Sequence, residues 1–96
     1  MKYKFEHVER LMVNTSNFDM EILIGKEQYL IIKDVEKNFY SVNFMESNKK
    51  EYTPVNVNAF SDVFKIKIFA GHTLKEMWNR VEILSFNNSD IAYFLN

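Results

Sequence analysis

Cysteine is absent from this chain, and with it any disulfide framework and any thiolate-ligated metal site. Only two histidines and two glycines occur in 96 residues, and neither glycine belongs to a phosphate-cradling loop: Gly25 and Gly71 stand alone, as turn or break residues do. No uninterrupted apolar run approaches the roughly 20 residues that a membrane span needs, and the start, Met1-Lys2-Tyr3-Lys4-Phe5-Glu6-His7, lacks the apolar core of a secretory signal. Charge of one sign is missing too. Twelve Lys+Arg against 13 Asp+Glu leave a formal charge of −1, without the basic excess of a general nucleic-acid binder or the acidic excess of a DNA mimic.

What the chain has in quantity is aromatic side chains: nine Phe, five Tyr and one Trp. A composition of 47% hydrophobic and 26% charged residues is that of a packed globular protein, and the length allows one modest core. We therefore expect a single domain over residues 1–96.

Apolar periodicity supplies the elements. Phe5, Val8, Leu11 and Met12 recur at spacings of three and four, which predicts a short N-terminal helix over Lys4–Val13; the shared parity of Tyr3, Phe5, Leu11 and Val13 leaves a strand as the rival. Asn14 to Asn17 end either element. Met20, Ile22 and Ile24 alternate with Glu21 and Leu23, Gly25-Lys26-Glu27 makes a turn, and Gln28 to Lys33 returns, which predicts a hairpin. Asn38 to Glu46 reads as a third strand with Tyr40, Val42 and Phe44 on one face. After a polar turn at Ser47 to Lys50, Glu51 to Asn58 reads as a fourth, confined to a sheet edge by Pro54. Phe64, Ile66 and Ile68 alternate with Lys65 and Lys67, predicting a strand from Val63 to Phe69. Thr73 followed by Glu76 is a capping-box signature, and Leu74, Met77, Trp78, Val81 and Leu84 form the stripe of a helix, although Val81 to Phe86 can also be read as a strand.

Candidate chemistry is sparse. His72 precedes Glu76 by one helical turn, too few ligands for a metal site, and His7 reads as a surface residue. No serine is framed by nucleophile-elbow glycines, and a carboxylate pair such as Glu46 and Glu51 has no spacing signature. No cofactor, metal or catalytic residue is assigned, and we expect no enzyme. Lys65, Lys67 and Phe69 share one parity, two bases and a ring that could meet a single nucleic-acid strand or another partner. The Trp78 stripe could dock in a partner's groove, but packing on the chain's own sheet is its commoner use.

One pattern exceeds the needs of a simple core. Tyr29 and Ile31 oppose Leu30 and Ile32, and Phe39 and Met45 oppose Tyr40, Val42 and Phe44, so the sheet is apolar on part of both faces. We expect an α+β fold: an antiparallel sheet of four to five strands packed by one helix in the C-terminal half and a short N-terminal helix. The function expected is that of a small stand-alone protein-binding module occluding another macromolecule, as an inhibitor, immunity protein or phage-type counter-defence protein such as an anti-CRISPR does. The abundance of Asn, Lys, Ile and Phe suggests a phage or mobile element. Phe39, Met45, Lys65, Lys67 and Phe69 are the partner-binding candidates. The alternatives are a homodimeric accessory domain, a single-stranded nucleic-acid binder or a small-ligand-binding enzyme subunit. The partner is thus another protein, a nucleoprotein complex or a second copy, with no membrane and no direct nucleic-acid contact expected, and the location cytoplasmic.

Overall fold

Helix α1 (Phe5–Asn14) leads into a five-stranded antiparallel sheet. The computed structural model describes residues 2–45 and 51–95, so the expected turn at Ser47 to Lys50 lies outside the described residues. Strands β1 (Asn17–Ile24), β2 (Glu27–Asp34), β3 (Phe39–Met45) and β4 (Tyr52–Asn56) form a meander, and β5 (Val81–Phe86) closes the far side on β1, giving the order β4-β3-β2-β1-β5. The β1–β2 hairpin turns on Gly25 and Lys26, with a positive φ at Gly25, where a left-handed backbone is free of side-chain clash. Pro54 faces Asn43 on the edge strand β4, the place left to a residue without an amide donor.

Strand parity divides the sheet. Met20, Ile22 and Ile24 of β1, Tyr29 and Ile31 of β2, and Val42 of β3 point inward and are buried, joined in register by Met20↔Ile31↔Val42 and Ile22↔Tyr29↔Phe44. Helix α1 adds Phe5, Val8 and Met12 to this core. It ends at Thr15, whose backbone N–H and hydroxyl both donate to the Leu11 carbonyl, at 3.0 and 2.7 Å. Lys33, on the inner face of β2 and only 7% exposed, donates from Nζ to the carbonyls of Met12 and Val13 at 3.0 and 2.8 Å. These are last-turn groups without intrahelical partners, and a cation there also suits the negative end of the helix dipole. The same ammonium lies 4.6 Å from the centre of the Phe60 ring.

Two expectations are corrected here. The segment Val63–Phe69 is not a strand: Phe60–Phe64 is a 3-10 turn, and the chain then runs across the inner face with no ladder partner. Its alternation survives without a sheet, with Ile66 and Ile68 half-buried and Lys65 and Lys67 exposed. Phe60, Val63 and Phe69 are needed as a lid: Phe60 packs on Phe18 and Tyr40, and Phe69 on Tyr29. Fully burying a side chain of this size is worth about 1.5–3 kcal/mol.

The second correction concerns the helix expected from Thr73. The reciprocal cap forms, Thr73 N–H to Glu76 Oε1 at 2.9 Å and Glu76 N–H to Thr73 Oγ1 at 3.3 Å. One turn follows, then a three-residue 3-10 turn (Trp78–Arg80), and Val81 enters β5. Val81 and Ile83 are required opposite Ile24 and Ile22, so the β1 ladder takes residues that the helical stripe would have used. A bulge between Glu21 and Ile22 leaves Leu84 unpaired and 42% exposed. Among the described residues the one α-helix is therefore N-terminal, and the C-terminal half contributes a strand. None of the described helices is long and apolar enough to cross a membrane.

Candidate functional site

The other face of the sheet has no cover among the described residues. Helix α1, the Phe60–Phe64 turn, the Phe69 loop and the C-terminal turn Ile91–Tyr93 all pack on the inner side, as shown by Lys33 on α1, Phe60 on Phe18, Phe69 on Tyr29 and Phe94 on Phe86. By parity the outer face carries Asp19, Glu21 and Leu23 of β1, Gln28, Leu30, Ile32 and Asp34 of β2, Phe39, Ser41, Asn43 and Met45 of β3, and Tyr52 of β4. Leu23, Leu30, Ile32 and Met45 are half-buried by their neighbours and lie outside the core cluster. Phe39 is 41% and Tyr52 37% exposed.

Polar groups on this face are tied to one another. Gln28 Nε2 donates to Glu21 Oε2 at 3.2 Å, and Ser41 Oγ donates to Asn43 Oδ1 at 2.8 Å. Burial and then the Glu21 carboxylate push the Tyr52 phenol up. Every charged side chain that the strands present on this side is a carboxylate: Asp19, Glu21 and Asp34, with Glu82 on β5 beside them. The lysines of the sheet sit in its turns (Lys26, Lys37) or on the inner face (Lys33).

The five residues singled out from the sequence are divided by the fold. Phe39 and Met45 sit at opposite ends of β3 on the outer face. Lys65 and Lys67 are exposed on the covering layer, on the far side of the sheet, and Lys65 makes a 3.9 Å pair with Asp62 that its exposure keeps weak. Phe69 has 0% exposure, its ring 5.1 Å from that of Tyr29, so it offers no surface. The basic and aromatic strand face dissolves because the strand that would have built it is a lid. Leu23, Leu30 and Ile32 join Phe39 and Met45, and their signal was parity on strands already recognised; Tyr52 needed the register across the β3–β4 connection.

A concavity of about 480 Å³ lies between α1 and the C-terminal segment, lined by Tyr3, His7, Arg10, Leu11, Asn14, Phe94 and Leu95. His72 belongs elsewhere: it pairs with Phe69 across the Ala70-Gly71 turn and lies near Glu76. Among the described residues no three His, Cys, Asp or Glu side chains are grouped to hold a metal ion. Burial holds the Tyr29 phenol above its ordinary value, but its oxygen accepts from the Ala70 amide at 3.1 Å in a structural contact. Comparison with protein-family models, with curated proteins and with solved structures finds no match.

Proposed function

We propose that this protein is a small binding module that acts by laying the outer face of its sheet over a surface of another protein, occluding it as inhibitors, immunity proteins and counter-defence proteins do. The observation that carries this reading is a sheet face with six large apolar side chains, Leu23, Leu30, Ile32, Phe39, Met45 and Tyr52, and no covering element among the described residues. A sheet with one face to water ordinarily makes that face polar, whereas apolar, partly exposed patches serve as contact surfaces. At strand spacings of about 4.8 Å and lengths near 20 Å the face projects roughly 500 Å², somewhat less than one partner's share of a standard interface. A stable complex therefore recruits the rim as well.

The test is affinity capture from the source cells with the intact protein and with the variant carrying Phe39→Asp and Met45→Asp. Phe39 is exposed and Met45 half-buried, and both lie outside the core, so circular dichroism should show an unchanged fold. A partner held by the intact protein and released by the variant is the expected outcome; retention by both would move the contact to another surface.

A further inference from the structure

We infer that the surface this face accepts is cationic as well as apolar, and that it belongs to another protein and not to nucleic acid or to a second copy of this chain. The inference rests on the reading above and adds the partner's chemistry. Asp19 and Glu21 lie in sequence on β1, Glu82 lies on the adjoining β5 opposite Leu23, and Asp34 lies at the end of β2 opposite Phe39. No lysine or arginine shares that side of the described strands. Glu21 is held toward the face by Gln28, so its charge is presented beside Leu30 instead of swinging free.

The covering layer mixes its signs, with Lys65, Lys67, Lys75 and Arg80 exposed alongside Glu6, Glu76 and Asp90, whereas the described strands put only carboxylates among the charged groups of the open face. Phosphates would meet a wall of like charge here. A second copy fares no better, because a two-fold contact uses the same patch twice and would bring eight carboxylates into one interface with no base from these strands. Opposite potential across an interface speeds encounter and suppresses wrong partners, and a basic apolar surface is the chemistry that satisfies both the carboxylates and the stripe between them.

The probes are two short peptides of equal length, one alternating Lys with Leu and one alternating Glu with Leu, together with a single-stranded oligonucleotide. Each is titrated into isotope-labelled protein while backbone amide shifts are followed. Shifts confined to residues of the five strands are expected with the Lys/Leu peptide alone, its affinity falling about tenfold from about 20 to about 200 mM salt. The variant Asp19→Asn, Glu21→Gln, Glu82→Gln should lose most of that salt dependence, while Phe39→Asn with Met45→Asn, which leaves the charge of the face unchanged, should lose the apolar part. Equal binding of both peptides to the face overturns the charge inference and leaves the contact-face reading standing. Binding of the oligonucleotide there, or shifts of the same amides on concentrating the protein alone, overturns it in favour of nucleic acid or a second copy. Shifts confined to the covering layer, or none with any probe, overturn both readings.

Discussion

Ile31 and Ile32 are identical residues one peptide bond apart on β2, yet Ile31 is completely buried against Met20 and Val42 while Ile32 is only half-buried between Asp19 and Ser41. The difference comes from what lies above each face. The inner side has a helix, a lid of aromatic rings and the C-terminal turn; the outer side has only its own neighbours. Hydrophobic residues of the same type are therefore invested in folding on one side and left available for contact on the other.

The comparison breaks most visibly if a charge is placed on each side. Ile31→Asp buries a carboxylate without a partner and should cost about 4 kcal/mol or more, enough to leave much of the chain unfolded in chemical denaturation. Leu30→Asp, one residue away, should cost no more than about 1 kcal/mol. A similar loss at both positions would show that the outer face is covered after all.

Lys33→Met probes the buried ammonium on the inner side. Removing two hydrogen bonds to the carbonyls that end α1 should destabilise by about 1–3 kcal/mol, with a loss of helical circular dichroism ahead of the main transition. Burial lowers the Lys33 pKa, so the folded protein binds that proton less tightly than the unfolded chain does. Stability carried by Lys33 consequently rises as pH climbs through the interval between its lowered value and the ordinary lysine value. The gap between the native protein and Lys33→Met should widen in the native protein's favour across that interval; a gap independent of pH would contradict the burial of the ammonium.

On the outer side, Phe39→Asp with Met45→Asp should move the denaturation midpoint by less than about 1 kcal/mol in free energy while removing the bound partner, a separation that sharpens the contrast between folding and binding surfaces. The smallest effect belongs to Glu76, whose carboxyl is held below its ordinary range by the Thr73 amide and then the Thr73 hydroxyl. Its contribution is present above the ordinary carboxylate pKa and lost as pH falls through the lowered value. Glu76→Gln should thus differ from the native protein near neutrality and converge with it in acid, as followed by thermal unfolding.

The four-strand meander was legible because its residues obey a period of two with punctuation at Gly25 and Pro54, and local pairing asks little of the rest of the chain. The segment from Phe60 to Arg80 was not. Lys65-Ile66-Lys67-Ile68 has a strand's pattern, but what it registers is one dry side and one wet side of extended chain, which a lid satisfies as well as a ladder. Thr73 and Glu76 announce a helix start that does form; what ended it was Val81 and Ile83 finding β1, and local spacing, which allowed Val81 to Phe86 either as helix or as strand, carries no signal of that tertiary demand. The candidate face was half legible: Leu30, Ile32, Phe39 and Met45 follow from parity, whereas removing Phe69 and setting aside the lysines required knowing which way the lid lies.

Trp78 gives this molecule an optical gauge of its own. It is the chain's one tryptophan, its indole N–H donates to the Tyr3 carbonyl at 2.8 Å, and its ring meets that of Phe5 edge-on at 5.2 Å. Its emission therefore reads the seating of the N-terminal segment, 75 residues away in sequence, on the lid. A red shift in that emission while the strand signal of the sheet persists would time the moment at which α1 lets go.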